Sequence, residues 1–179
     1  MIEIMSALID LFKERSPRPL AIGQYLFHRD QAVDQMFMVH DGEIRLIRHQ
    51  ADGNEVILQR AYSGDLLAEA SLFSGRYHCD AVVARPCMVR ALPKTDFLKM
   101  LQTDSVLATV WAKRLAHEVQ RARLRSEILS LKTVAERLDA WLAWNDTMPQ
   151  KGEWRALASE IAVSPEALYR ELGNRRKNT

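Results

Sequence analysis

Between Ser105 and Leu131 lie 27 residues without a glycine or a proline. Along them small or apolar side chains recur at alternating spacings of four and three: Ala108, Ala112, Leu115, Val119, Ala122, Ser126 and Leu129. That rhythm is the heptad seam of a coiled coil. A helix of this length runs about 40 Å at 1.5 Å per residue, longer than a small β-domain can cover. The seam is therefore expected to pack on a second copy of the chain, with packing on its own domain as the alternative. Ala112, Leu115, Val119, Ala122, Ser126 and Leu129 are the candidate dimer contacts. The remaining face holds Lys113, Arg114, Arg121, Arg123 and Arg125.

Before this helix the pattern is different. Residues 2–13 have apolar positions at helical spacing and stop at Ser16-Pro17-Arg18-Pro19, where two prolines forbid continuation. From Leu20 to Leu92, short stretches rich in Val, Ile, Phe and Tyr follow: Gln35–Val39, Glu43–Arg48, Glu55–Arg60 and Ala81–Leu92. The turn signals Asp41-Gly42, Asp52-Gly53-Asn54, Ser63-Gly64-Asp65 and Ser74-Gly75 separate them, which predicts an antiparallel sandwich or barrel.

After the long helix, Val134–Trp144 reads as an amphipathic helix, Trp154–Ile161 as a second, and a third starts at Ser164 after a break at Ala162-Val163. Ser164 fits an N-cap and Pro165 the first helical position, where a missing N–H costs nothing. Two short helices across such a break predict a helix-turn-helix. Leu157, Ala158, Ile161, Val163, Leu168 and Leu172 face inward, and Glu166, Ala167, Tyr169 and Arg170 face away. Arg170 could donate to guanine N7 and O6, and Glu166 could accept from a cytosine amino group in a major groove. The alternative is an ordinary helical hairpin with Glu166 and Arg170 paired on a solvated face. Arg175, Arg176 and Lys177 suit phosphate contact or a solvated tail, and Trp141 and Trp144 read as core.

Composition narrows the classes. The 179 residues are 47% hydrophobic and 27% charged with a net charge of +2, which excludes a disordered chain and leaves any nucleic-acid affinity to local clusters. Apolar runs fall short of the roughly 20 residues that span a bilayer. The segment MIEIMSALIDLF is acidic where a signal peptide is basic. A cytoplasmic location without a membrane partner is expected, and the Asn145-Asp146-Thr147 sequon is then without consequence. The two cysteines, Cys79 and Cys87, are too few for a disulfide scaffold or a four-cysteine cluster. No nucleophile–base pair or phosphate loop occurs, and His28, His40, His49, His78 and His117 share no ligand spacing. Neither an enzyme nor a metal site is expected.

The segment Gly64-Asp65-Leu66-Leu67-Ala68-Glu69-Ala70-Ser71-Leu72-Phe73 resembles the phosphate-binding cassette of cyclic-nucleotide-binding domains, and His40-Asp41-Gly42-Glu43-Ile44-Arg45-Leu46 resembles the strand before it. Followed through the long helix to Ser164-Pro165-Glu166-Ala167-Leu168-Tyr169-Arg170, the order of parts resembles the Crp/Fnr transcriptional regulators. The resemblance implies an α+β fold: an antiparallel, jelly-roll-like β-roll effector domain over residues 1–104, a dimerisation helix over 105–131, and a helix-turn-helix domain over 132–179. It implies a homodimer in which an effector reorients two recognition helices over a palindromic site in double-stranded DNA, about 34 Å apart. RNA polymerase is a further candidate partner. The DNA-reading set is Ser164, Glu166, Ala167, Tyr169 and Arg170, with Arg175, Arg176 and Lys177 on phosphate. The effector pocket implied is Gly64, Leu67, Ala68, Glu69, Ala70, Ser71, Arg76, His78 and Cys79. Glu69 would accept from a ribose hydroxyl, and the amides of the short cassette helix would meet a phosphate.

Several positions depart from that pattern. His78 stands where cyclic-AMP-binding members carry an arginine, Arg76 lies two residues off, and Asp80 adds a negative charge. Ala68 replaces a glycine whose lack of a Cβ allows close backbone approach. The effector is therefore expected not to be cyclic AMP, and its identity stays open. His78-Cys79 admits haem ligation, as in gas-sensing relatives, a redox-sensitive Cys79 thiol, or simply a strand residue beside a buried neighbour. The sequence stops seven residues after Leu172, so the β-hairpin wing that follows the recognition helix in this family is expected to be missing. The competing reading is a ligand-binding or protein-interaction dimer without specific DNA binding.

Overall fold

The computed structural model describes residues 2–53, 55–145 and 147–177, with side chains from residue 8 onward. Asn54, in one of the turn signals above, and Asp146, in the sequon, lie outside the described residues. The chain divides into two compact units, Met1–Ala112 and Lys113–Thr179, with the division falling inside a helix.

The first unit starts with α1 (Ile2–Lys13), whose Leu8 and Phe12 are buried. Six strands follow: β1 (Arg18–Leu20), β2 (Tyr25–Phe27), β3 (Gln35–His49), β4 (Glu55–Ala61), β5 (Leu66–Leu67) and β6 (Asp80–Pro93). They form one sheet in the order β1-β6-β3-β4, with β2 also on β6 and β5 on β3. Every pairing is antiparallel, as the β-roll requires. Pro19 falls on β1, a three-residue strand at the end of that order, where a missing N–H does least harm.

One expectation is overturned. Asp41-Gly42 is not a turn between two strands; β3 runs through it without interruption from Gln35 to His49. The register against β6 shifts on both sides of Asp41 and again after Glu43, so the pair bulges there while the strand continues. Gly42 has φ of +93°, and a Cβ built on it would lie 2.3 Å from the Pro86 carbonyl oxygen and 2.4 Å from Cys87 Cβ. The glycine marks a place where two backbones nearly touch. In sequence such a residue looks the same as a turn glycine.

Side chains from both ends of the ladder fill the interior. Phe27 stacks on Tyr77 with ring centroids 3.9 Å apart, and Phe37 lies 5.9 Å from Phe27. Tyr77 donates its hydroxyl to the Gln35 carbonyl at 3.1 Å, satisfying the one polar atom the stack buries. Met36, Ile44, Ile47, Leu66, Leu67, Leu72 and Leu92 complete the core. Helix α2 (Lys94–Thr103) then brings Phe97 edge-on to Trp111 of α3 (Ser105–Ser130), centroids 4.9 Å apart. Asp104 caps α3, its carboxylate accepting from the amides of Val106 and Leu107 at 2.9 and 3.0 Å.

The second unit packs the end of α3 with α4 (Val134–Asn145), α5 (Trp154–Glu160) and α6 (Pro165–Lys177). Ile128, Leu138, Leu157, Ala158, Ile161 and Leu168 form its centre. Thr133 and Glu136 make a reciprocal capping box at the start of α4. Trp141 is half-buried and donates its indole N–H to Glu160 at 2.7 Å. Trp144 corrects the expectation of a core residue: it is exposed, stacked 5.8 Å from His117.

Gly42→Ala should destabilise the first unit by about 3 kcal/mol, since left-handed strain and overpacking against β6 add. Chemical denaturation of the variant measures this, and a loss below about 1 kcal/mol would mean that β6 can retreat at little cost.

Candidate functional site

The cassette is sewn to the sheet before it opens a pocket. Gly64, at φ +88°, turns the chain and donates to the Val39 carbonyl at 2.9 Å, while Val39 donates to the Asp65 carbonyl at 2.9 Å. Leu66 and Leu67 pair with Met38 and Phe37 and bury both side chains. Ala68 then adopts φ +75°, ψ +5°, a conformation that favours glycine, and a single 3₁₀ turn follows over Glu69–Ser71. An alanine there carries about 1–2 kcal/mol of left-handed strain, which the anchored neighbours impose.

The pocket has a volume of about 80 Å³ and is lined by Phe27, Leu46, Leu58, Gln59, Ala68, Glu69, Ala70, Ser71, His78 and Cys79. Six of the nine residues expected there are present. Gly64 serves the turn, Leu67 is in the core, and Arg76 donates to the Asp30 carbonyl at 2.5 Å, so these three do not line it. Phe27, Leu46, Leu58 and Gln59 were missed because they come from β2, β3 and β4, outside the contiguous cassette motif.

No lysine or arginine lines this pocket. His78 Nδ1 lies 3.0 Å from Ser71 Oγ, so each occupies the other. Partial burial, together with the charge of Arg48, lowers the His78 pKa and keeps the ring neutral at pH 7. Arg48 itself donates to the His78 carbonyl at 2.9 Å. Asp80, nearly buried, accepts from the Arg29 amide at 3.0 Å and lies 3.3 Å from His28 Nδ1. Burial, reinforced by Glu69, pushes the Cys79 thiol up to about 11, and burial also raises Cys87. A buried, protonated thiol is the opposite of what a redox sensor or a thiolate ligand needs. With His78 Nδ1 engaged by Ser71 and Cys79 protonated, these residues do not fit haem ligation. Among the described residues no three His, Cys, Asp or Glu side chains gather as a metal site.

In the second unit, Ser164 caps α6 as its residue type suggests: its hydroxyl accepts from the Ala167 amide at 3.1 Å. Ala162 makes the turn at φ +53°. Arg137, on α4, braces that turn by donating to the Ile161 and Ala162 carbonyls at 3.3 and 2.7 Å. Leu168 is fully buried while Glu166, Tyr169 and Arg170 are exposed, and Glu166 and Arg170 form no ion pair with each other among the described residues. The basic end is not a loose tail but the last turn of α6. Within it Arg175 is engaged internally, donating to Asp139 at 2.6 Å, Glu171 at 2.8 Å and the Ala135 carbonyl at 3.1 Å. Arg176 lies over the Trp154 ring, 5.6 Å from its centroid, and both it and Lys177 are exposed.

Residues 17–104 match the cyclic nucleotide-binding domain family. The cyclic AMP receptor protein of Thermus thermophilus is 26% identical over 117 residues, 65% of this chain and 54% of that protein. The chain is therefore similar to Crp/Fnr regulators and carries a match to the cyclic nucleotide-binding domain. It spans about half the length of that curated relative. Among solved structures, the chain has the fold of FixK2 from Bradyrhizobium japonicum, with a TM-score of 0.69, 19% identity and coverage of 92% and 85% of the two chains. It is likewise similar to the Thermus thermophilus catabolite activator protein, at TM-score 0.58, 24% identity and coverage of 95% and 83%. The N-terminal domain of a transcriptional regulator from Streptomyces coelicolor A3(2) matches at 27% identity and TM-score 0.53, covering 66% of this chain and 82% of that one. The fold shared with FixK2 and the catabolite activator protein is an antiparallel sheet domain followed by helices, as found here. Among the described residues no helix is long and apolar enough to cross a membrane.

Proposed function

We propose that this chain is a DNA-binding transcriptional regulator that acts as a homodimer and answers to an effector other than cyclic AMP. The observation that carries the reading is the bare outer face of α6, where Glu166, Tyr169 and Arg170 stand exposed on a helix whose start is capped by Ser164 and whose inner side is locked by Leu168. A helix held this way can enter a major groove with its first turns on base edges. Arg170 is assigned to guanine, Glu166 to cytosine, and Arg176 and Lys177 to phosphate. Arg175 braces α6 against α4 and is withdrawn from the phosphate contacts.

Dimerisation is assigned to α3. Its Leu107 and Trp111 are buried within the first unit and Ile128 within the second, yet Val119 and Leu129 are 48% and 49% exposed, in line with exposed Ala112, Ala122 and Ser126. An apolar stripe left open at heptad spacing matches its own copy. The effector reading rests on charge: with no cation lining the pocket and His78 neutral, a cyclic phosphate would lose its solvation with little in return.

Selection from a random duplex library should recover a palindrome with half-sites one helical turn apart. Arg170→Ala should then relax or abolish that enrichment, costing about 1–3 kcal/mol at one base position. Retention of DNA without any sequence preference, or none at all by the unmodified protein at low salt, would turn the reading toward a protein-interaction dimer. Val119→Glu places a charge in the seam and should give monomers by analytical ultracentrifugation; a variant still dimeric would refute the seam assignment. Calorimetric titration with cyclic AMP should show only heats of dilution, and micromolar binding would reverse the effector reading.

A further inference from the structure

Outside the pocket, the sheet carries a second concentration of charge. Glu43 on β3 is nearly buried, and its two oxygens hold three guanidiniums: Arg45 Nε at 3.2 Å and Arg60 Nη1 at 2.7 Å on Oε1, and Arg85 Nε at 3.1 Å on Oε2. The register explains the convergence. Arg45 and Arg60 are directly paired across β3 and β4, and Glu43 and Arg85 across β3 and β6. Like charges opposite one another destabilise a ladder, so a purely structural ion pair would call for one arginine rather than three. Three cations around one anion leave the cluster at +2.

The way they are held matters more than their number. Arg45 and Arg85 each bond Glu43 through Nε, which fixes the plane of each guanidinium. The terminal nitrogens of both have no hydrogen-bond partner among the described residues. Arg85 is the outermost, with its side chain 62% exposed and its Cζ 5.8 Å from the centre of the Tyr62 ring. Two forks oriented from behind and open in front form the donor arrangement that binds an oxyanion bidentately.

We propose that Arg45 and Arg85, oriented by Glu43 and backed by Arg60, form a binding site for a phosphate dianion, either free phosphate or the terminal group of a phosphomonoester. The charge of a dianion matches the +2 of the cluster, whereas a carboxylate or a DNA phosphodiester supplies only one negative charge. Burial alone would raise the Glu43 pKa, but the hydrogen bonds from Arg60 and Arg45 outweigh it and hold the carboxyl below the usual range. Glu43 therefore stays ionised across the range in which a phosphomonoester gains its second charge, near pH 6. The site is separate from the cassette pocket, none of whose lining residues belongs to it.

The full chain is titrated calorimetrically with inorganic phosphate and with glycerol phosphate at fixed chloride ionic strength, at pH 8 and pH 5. One saturable site per chain is expected, at least about tenfold tighter at pH 8 than at pH 5, where the monoester is largely a monoanion. Arg85→Ala and Arg45→Ala should each weaken it about tenfold or more, the loss of one bidentate charge-assisted contact, while Lys99→Ala, on the exposed face of α2, changes nothing. Arg85 is exposed enough that its variant keeps the fold, which circular dichroism verifies. Binding of both anions points to free phosphate as sufficient, and binding of the ester alone points to a phosphorylated small molecule. The proposal is overturned by no saturable heat with either anion, by affinity unchanged in Arg85→Ala, by equal affinity at the two pH values, or by a DNA duplex occupying Arg85 in preference to both.

Discussion

Strands β3 and β6 pair from Gln35 with Pro93 to Ile47 with Asp80, and all the other strands but β4 and β5 attach to β6. This ladder is the frame on which the first unit is built. It bends where Gly42 meets Pro86 and Cys87, and the register shifts at that bend. Below it, β3 presents Phe37 and Met38 to the cassette strand β5; beyond it, β3 presents Glu43 and Arg45 to β4 and β6. A bulged crossing increases local twist, and that twist lets one strand serve a buried pocket at one point and a charged outer cluster at another.

The two sites in that unit have opposite electrostatic character. In the pocket, Glu69 is accompanied by a neutral His78 and a protonated Cys79. In the outer cluster, three guanidiniums outnumber one carboxylate. The chain as a whole carries a net charge of only +2, so its affinities depend on where charge is gathered rather than on how much there is.

Helix α3 joins two units and faces two ways. Leu107 and Trp111 are buried in the first unit and Ile128 in the second, while Val119 and Leu129 are exposed. In the second unit the turn between α5 and α6 depends on small devices: the Ser164 cap, the left-handed Ala162 and the reach of Arg137 to two carbonyls at the turn. Arg175 belongs with them. Its three nitrogens tie α6 to α4 and to its own preceding turn, so a side chain that reads in sequence as a phosphate contact acts as a brace.

Much of the architecture was legible along the chain because local chemistry dictates it. Proline and glycine end helices, heptad spacing makes a stripe, and a serine before a proline caps, so α1, α3, α6 and β6 lie within a residue or two of where the pattern put them. The cassette was legible for the same reason, as a contiguous motif. What sequence could not decide were relations between residues far apart in the chain. Phe27, Leu46 and Leu58 join the cassette pocket only because three strands curve over it. Gly42 is a contact rather than a turn only because β6 lies against it. Arg45, Arg60 and Arg85 are unremarkable arginines until register brings them to one carboxylate. Spacing along a chain encodes what a residue does to its near neighbours; register, burial and shared partners arise only when distant segments meet.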